Sequence, residues 1–352
     1  MKIIHDRHGG TTPAANSMPG EPVDRTRRNA LASALGLAGC AIGGFASAAP
    51  PGKTLIAADV HVDHYPTVEA VRFLGRELSA STNDRYSVKV YHAGQLGRES
   101  DTIDLVRYGG LDITRVNFAV LNNAFPLTAV AAAPFVFDST DHMRRAMDGA
   151  AGQAIRASFA SRGLVCLAIY DSGARSFYNV RRPVVHPADL HGLKVRVPPS
   201  DLFIAMTAAL GANPTPLAYG EVYSALGTHL IDGGENNIRS FHTSRQFEVA
   251  RFWSNTRHSY SPEALLISRR VFDSMSAGDR DALVDAAQRS IPFMRSLWDA
   301  AEKESFAKLV TDGVHFNDVD VAAFRATTRP LLDHLLATPE AQRVHSLIRE
   351  VA

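Results

Sequence analysis

Cysteine is nearly absent: Cys40 and Cys166 are the only two in 352 residues. That excludes a disulfide framework, so stability must come from packing. Neither sign of charge dominates, with 37 Lys and Arg against 36 Asp and Glu, and no long stretch presents a basic helical face. Nucleic acid is therefore not expected as a partner. Long apolar runs are also missing. The stretch from Ala30 to Gly44 holds about 15 residues, short of the ~20 that a membrane-spanning helix needs. The short signatures of catalysis are missing as well: there is no G-x-S-x-G elbow, no Walker or dinucleotide glycine loop, and no cysteine placed as an obvious nucleophile. These absences disfavour an enzyme, and no cofactor is expected.

What is present begins with an N-terminal targeting pattern. Arg27 and Arg28 precede the small, apolar run, and Ala46-Ser-Ala48 supplies an A-x-A cleavage site. The twin arginine points to export of a folded protein into the periplasm. Leu37-Ala-Gly-Cys40 also has the form of a lipobox, in which Cys40 would be lipidated. Residues 1–48 are thus read as an export signal, and only Cys166, inside the apolar run Leu164–Tyr170, remains after cleavage at Ala48.

From Thr54 onward the pattern alternates strand and helix. Strands are expected at Thr54–Val60, Ser87–His92 and Leu111–Val116, with helices at Pro66–Leu78 and Glu99–Tyr108. This is an α/β pattern in which ligands lie beyond the carboxyl ends of strands. His61, Asp63, Glu99 and Asn117 stand on such loops. His61, Asp63 and His64 invite comparison with a metal cluster, but no further ligand set stands at convincing spacing. A hydrogen bond from His61 or Asp63 to a small ligand is the preferred reading. A helix is read from about His142 to Ser161, then the Cys166 strand. Gly173 between two strands marks a crossover, and Arg175 faces that junction, either as a ligand contact or as a domain-stabilising ion pair.

The densest stretch runs from Asp189 to Asn237. Leu193, Val195 and Val197 alternate with Lys194 and Arg196, the period of a half-buried strand closed by Pro198 and Pro199. Arg196 thus sits at a strand mouth, where its planar fork suits a carboxylate. Ser200 is placed as N-cap of a helix over Asp201–Leu210. A short helix through Tyr219 follows, and Ile231–Asn237, containing Glu235 and Asn236, reads as a glycine-rich turn whose amides serve hydroxyls. The expected ligand is a small organic acid anion.

These residues also carry a resemblance. The ordered blocks Gly192-Leu-Lys-Val-Arg-Val-Pro198, Leu210-Gly-Ala-Asn-Pro-Thr-Pro216, Glu221-Val-Tyr-Ser-Ala-Leu226 and Asp232-Gly-Gly-Glu-Asn236, followed by Phe247-Glu-Val249, are similar to the DctP-type solute-binding proteins of tripartite ATP-independent periplasmic (TRAP) transporters. The similarity extends from about Leu55 to the end. It implies a two-lobed periplasmic binding protein of α/β class, with a long helix bracing both lobes, that hands its ligand to the transporter's membrane subunits. Glu99 and Asn117 match positions that touch ligand in that family, and His258 matches one close to it. Asp171–Asn179, Pro198–Leu202 and Gly234–Asn237 resemble a branch that binds hexuronates such as glucuronate and galacturonate. Where that branch carries Trp-Pro after the paired asparagines, this chain has Ile238-Arg239, and Arg239 is left either recruiting a second carboxylate or solvated. Another monocarboxylate, a 2-hydroxy or 2-keto acid, or a dicarboxylate stays open as the ligand. A sensory role beside a receptor kinase stays open as the setting.

The expected division places 49–172 with about 262–300 in one lobe, and 173–261 with about 301–352 in the other. Ser276-Ala-Gly-Asp279 opens the long helix in capping-box style, and Pro292 is expected to kink or interrupt it. A monomer is expected.

Overall fold

The computed structural model describes residues 52–352. The expectations for Arg27, Arg28, Cys40 and the Ala46-Ser-Ala48 cleavage site lie outside the described residues. In chain order the strands are β1 (Lys53–Ala58), β2 (Tyr86–Tyr91), β3 (Ile113–Asn117), β4 (Leu164–Tyr170), β5 (Arg175–Asn179), β6 (Lys194–Val197), β7 (Asn213–Pro216), β8 (Gly233–Asn237), β9 (Phe252–Ser259), β10 (Glu263–Ser268) and β11 (His315–Asn317). The helices are α1 (Pro66–Ser81), α2 (Glu99–Tyr108), α3 (Phe118–Leu121), α4 (Pro126–Ala132), α5 (Thr140–Asp148), α6 (Ala150–Ser158), α7 (Asp201–Ala209), α8 (Val222–Gly227), α9 (Ile238–Thr243), α10 (Arg269–Asp273), α11 (Ala277–Thr311), α12 (Val321–Leu335) and α13 (Pro339–Arg349).

Two mixed sheets form, in the orders β2-β1-β3-β10-β4 and β11-β9-β5-β8-β6-β7, and each with its helices makes one lobe of a two-lobed α/β protein. β1, β2 and β3 run parallel, and β10 lies antiparallel between β3 and β4. In the second sheet β6, β7 and β8 are parallel, while β5 opposes both β8 and β9. The chain passes between sheets twice side by side, from β4 to β5 through Asp171–Ala174 and from β9 to β10 through Tyr260–Pro262. Gly173 takes φ 64° on the first crossing, where a Cβ would press on Trp298 and Glu302 of α11.

Several sequence expectations shift for local reasons. The single helix expected up to Ser161 is broken at Gly149, which closes α5 and opens α6. Pro292 does not interrupt α11, whose 35 residues are helical throughout and span about 52 Å at 1.5 Å per residue. Ser276 does cap it, accepting from the Asp279 amide at 3.1 Å. Ser200 holds the N-cap position of α7, yet its hydroxyl accepts from Asn122 Nδ2 of the other lobe at 3.0 Å instead of capping. Between α9 and β9 the chain makes only a 3-10 turn, at Gln246–Glu248.

The largest difference concerns the glycine-rich segment. It is not a turn: Gly233–Asn237 forms β8, buried at all five positions in the middle of the second sheet. The glycines are needed for close approach. A Cβ on Gly233 would overlap the Tyr178 carbonyl of β5, and one on Gly234 would lie 2.6 Å from the Tyr178 hydroxyl, which is itself held by Gln246.

α11 braces the lobes. Its first half lays Leu283, Ala286, Ile291, Met294 and Trp298 against α1 and the first sheet, and its last turns carry Leu309 into the second lobe's core beside Phe241 and Trp253. Residues 301–352 do not all belong to the second lobe. α12 packs on α7 and β9, but α13 returns to α4, α5 and α6 of the first. It does so because Ala341, Val344 and Ile348 form one apolar face, and His142 Nε2 meets the Ile348 carbonyl at 2.8 Å. An apolar cluster therefore runs from the first lobe through α13 and α12 to α7.

Because neither neighbour of Gly233 can yield, Gly233→Ala is expected to destabilise the protein by about 1–3 kcal/mol, the usual range for overpacking a full interior. Thermal melting should show the midpoint falling by several degrees, and an unchanged midpoint would mean that β8 has slack that this packing denies it.

Candidate functional site

The carboxyl ends of β1, β3 and β6 and the whole of β8 meet at a cleft between the lobes. An inner chamber of about 30 Å³ is lined by His61, Glu99, Arg115, Asn117, Arg175, Arg196, Tyr219, Asn236 and Glu263, among others. It adjoins a vestibule of about 360 Å³ that shares Glu99, Arg196 and Tyr219 and has small residues such as Gly94, Gly97 and Gly220 in its wall. The lobes touch around it. Tyr65 Oη meets Ser240 Oγ at 2.9 Å, Arg98 Nη2 meets Glu221 Oε1 at 2.5 Å, and Asn123 exchanges two hydrogen bonds of 3.1 Å with Asp201.

Arg196 is 3% exposed. It reaches the chamber because β6 pairs with β7 on one side and β8 on the other, with Arg196 opposite Thr215 and Gly234. Nε and Nη2 both donate to the Leu217 carbonyl, at 2.9 and 2.7 Å. Among the described residues no carboxylate forms an ion pair with it, and burial lowers its pKa despite the pull of Tyr178 and Glu235. A desolvated cation facing a small polar chamber is an anion site in waiting.

Arg175 is the opposite case. It forms the ion pair that its sequence position left open: Nε and Nη2 grip Glu235 bidentately at 2.6 and 2.7 Å, and Nη1 donates to Asn236 Oδ1 at 3.0 Å. Glu235 also meets His258 Nε2 at 3.2 Å, and Thr256 Oγ1 meets His258 Nδ1 at 2.9 Å. Burial would raise the Glu235 carboxyl, but Arg175 and His258 outweigh it and hold it low; burial likewise lowers His258. Glu235 and His258 therefore stand one layer behind the chamber and fix Arg175. Among the described residues Asn236 Nδ2 has no hydrogen-bond acceptor, and Asn236 lines the chamber.

Asn117 is a structural linchpin as well as a lining residue. Its Oδ1 caps α3 at Ala119 N (3.0 Å) and accepts from Ser261 Oγ (2.6 Å), while Nδ2 donates to the Ser261 carbonyl. Glu99 Oε1 accepts from the Asn117 amide and from Arg115 Nη1, both at 2.9 Å. Among the described residues Glu99 Oε2 has no donor, and burial raises the Glu99 pKa in spite of Arg115. Burial also raises Tyr219, whose ring lies 5.3 Å from that of His61.

The sequence reading missed the centre of this arrangement. Arg115, fully buried on β3, pairs with Asp59, with Glu99 at 2.9 Å and with Glu263 at 3.2 Å. A lone arginine inside the apolar strand pattern gave the only signal. Arg115 Nη2 also lies 2.7 Å from His61 Nδ1. Asp59 Oδ1, which only accepts, lies 3.1 Å from the same Nδ1, and His61 Nε2 lies 3.4 Å from Ser240 Oγ. His61 stacks on Tyr65 at 3.8 Å to complete its support.

Asp63 is not at the site. It lies on the surface, 44% exposed, where it and Glu69 both bind Arg72 at 2.6 Å. Those acids and His64 lie close enough to share a cation, but Arg72 already fills the role of counter-charge. Arg239 also points elsewhere, donating to Ser305 Oγ at 3.1 Å beside Glu304 on α11.

Burial would raise the Asp59 carboxyl, but Arg115 and His61 together hold it far below the usual aspartate range. Its folded pKa lies below its unfolded value of about 3.9, so it stabilises the fold above that value and the contribution is lost as pH falls further. Melting temperature should therefore drop on acidification below about pH 4, and Asp59→Asn, less stable at neutral pH, should show a shallower drop. Parallel slopes for the two proteins would remove Asp59 from the account.

Comparison with known proteins agrees with this geometry. Residues 57–338 match the DctP model, described as bacterial extracellular solute-binding protein, family 7. A solute-binding protein of Chromohalobacter salexigens is 37% identical over 294 residues, covering 83% of this chain and 87% of its own. A TRAP periplasmic solute-binding protein of Xanthobacter autotrophicus, solved with bound β-D-galacturonate, is 43% identical with TM-score 0.83, covering 84% of this chain and 99% of its own. One from Chromohalobacter salexigens, solved with D-glucuronate, is 36% identical with TM-score 0.82, covering 85% and 100%. With its two sheets, its paired crossings and its buried arginine at the cleft, this chain belongs to the DctP family of bacterial extracellular solute-binding proteins.

Proposed function

We propose that this protein captures a hexuronate, such as D-glucuronate or D-galacturonate, in the periplasm and delivers it to the membrane subunits of a TRAP transporter without chemical change. One observation carries the reading: of the three guanidinium groups lining the chamber, Arg115 and Arg175 are neutralised by protein carboxylates, whereas Arg196 meets none among the described residues. The site therefore asks for one carboxylate. The remaining groups suit hydroxyls, since Glu99 Oε2 accepts, Asn236 Nδ2 donates and a hydroxyl can pair with His61 Nε2 in either direction. The bound uronates of the relatives above have this composition, one acid and several hydroxyls. A dicarboxylate would bring a second anion among Asp59, Glu99, Glu235 and Glu263 with no free cation to meet it.

In this reading Arg196 and Asn236 hold the ligand from the second lobe, His61 and Glu99 hold it from the first, and Tyr219 closes over it. Arg175, fixed by Glu235 and His258, presents Asn236, and Asn117 ties the site to the crossing strands. Ligand that touches both lobes favours the closed arrangement by its difference in affinity for closed and open forms.

Melting against sugar acids, hydroxy acids, keto acids and dicarboxylates tests the class. A ligand at 100 times its dissociation constant should add about 2.7 kcal/mol. Hexuronates should raise the midpoint, and Arg196→Ala should weaken them by about 3–5 kcal/mol, at least a hundredfold. Arg196→Lys should also bind poorly, because the fork is lost. A shift with small keto or hydroxy acids alone would keep solute binding and reject the uronate; silence from every anion would reject the arginine argument.

The Arg98–Glu221 contact across the cleft mouth is solvent-exposed, with side chains 61% and 40% accessible, so its effect should be small. Arg98→Ala and Glu221→Gln should each speed ligand dissociation about two- to fivefold, with the double variant no faster than either. Additive effects in stopped-flow release would mean that the two residues act separately.

A further inference from the structure

Glu263 carries no signal in the sequence, yet it occupies the most constrained point of the cleft. It opens β10 directly after the second crossing, is 1% exposed, and lines the inner chamber. Its Oε1 accepts from Ser172 Oγ on the first crossing at 3.1 Å and from Asn117 Nδ2 at 3.4 Å. Its Oε2 is different. That oxygen lies 3.2 Å from Arg115 Nη1, near enough for attraction, but out of line for a hydrogen bond, and among the described residues it has no hydrogen-bond donor. Arg115 Nη1 is turned instead to Glu99 Oε1.

A buried carboxylate oxygen left without a donor is costly and rare in folded proteins. The residue that carries it lines the chamber, where Asn236 Oδ1, Glu99 Oε1 and Arg196 Nε are already partnered within the protein. As a carboxylate, Glu263 accepts and does not donate, so the group that completes it must bring a hydrogen. A hydroxyl does so; a second carboxylate or a carbonyl does not.

We propose that Glu263 Oε2 receives a hydrogen bond from one hydroxyl of the bound acid, making Glu263 a specificity-determining residue that selects hydroxylated acids over keto acids and dicarboxylates. The inference deepens the sugar-acid reading and rests on it. Glu263 also differs from Arg196 in placement. Through Ser172, which is also reached by Asn237 Nδ2 at 3.3 Å, it is fastened to both crossings at the pivot, whereas Arg196 moves with the second lobe. The hydroxyl held there stays in contact as the lobes rotate, so Glu263 selects the ligand at the pivot before the cleft closes on it.

Calorimetric titration of the protein and its Glu263→Gln variant with D-glucuronate, D-galacturonate and their monodeoxy analogues tests this. The substitution should weaken the parent acid at least tenfold, and one deoxy analogue, already weakened with the unaltered protein, should lose nothing more. The deoxy series on the unaltered protein needs no variant and guards against a folding defect: one position must stand out. Binding of the parent by Glu263→Gln within twofold, an equal deficit for every analogue, or no outstanding position would overturn the proposal and leave Glu263 as a support for Arg115. If neither uronate binds the unaltered protein, the uronate reading falls separately. Glu263 is then judged by the same cycle on the acid that does bind, and preference for an acid without hydroxyls overturns it.

Discussion

A guanidinium buried without a carboxylate of its own sets the terms for this molecule. Arg196 is held by one backbone carbonyl, which orients it but does not neutralise it. Closing the lobes removes it from water, and breaking a buried pair by removing one partner costs about 3–5 kcal/mol. A ligand carboxylate reverses that cost. With Arg196 as the proposed carboxylate site, closure and anion capture are linked through one side chain: the ligand shifts the equilibrium by as much as it prefers the closed form. Around the cleft, Tyr65 to Ser240 and Asn122 to Ser200 are hydrogen bonds between neutral groups, and the charged contacts, Arg98 to Glu221 and Asn123 to Asp201, are exposed. They shape the closed form without removing its dependence on the anion.

The other two arginines show why the free one is selective. Arg115 gathers Asp59, Glu99 and Glu263 from β1, α2 and β10 onto β3, so four segments of the first lobe are locked by charge where they line the cleft. Arg175 performs the same service in the second lobe, with Glu235 and His258 behind it. These networks are buried, so their worth lies in geometry more than in net stability. Of the four carboxylates they bring, Asp59 and Glu235 are spent as scaffold, while Glu99 and Glu263 also line the chamber and give it acceptors. An apolar acid would leave those acceptors desolvated and unmet; a polyhydroxy acid meets them.

Much of this was legible in the chain, and the divisions are instructive. Arg196 stood out because period-two alternation and a closing proline pair fix both its strand and its position at the strand's end. Glu99 and Asn117 followed from helix and strand ends. What failed depended on distant neighbours. The glycines at 233 and 234 suggest a turn by composition, but they are strand residues because Tyr178 and Asn179 of β5 pack where side chains would be. Asp63 looked equivalent to His61, until a helix brought Arg72 beside it. Arg115 and Glu263 were invisible because a buried charge inside an apolar strand reveals its purpose only through partners from three other segments. Local pattern specifies elements; charge balance is a property of the assembled cleft.

The architecture confines motion to a narrow seam. Two antiparallel strands cross side by side, and pairing slips register on both, between Arg175 and Phe177 and between Leu265 and Leu266. Such irregularities loosen the ladder locally, and Arg257, with φ of 43°, marks the same place. On either side the sheets are rigid, and α11 spans both lobes, its first half against α1 and its end against α9. α12 and α13 carry an apolar layer across as well. At the crossings Ser172, Ser261, Asn117 and Glu263 form one hydrogen-bonded knot. In the proposed reading, a ligand seated against that knot touches the crossings and both walls together, so that a molecule with one charge and a few hydroxyls governs two lobes.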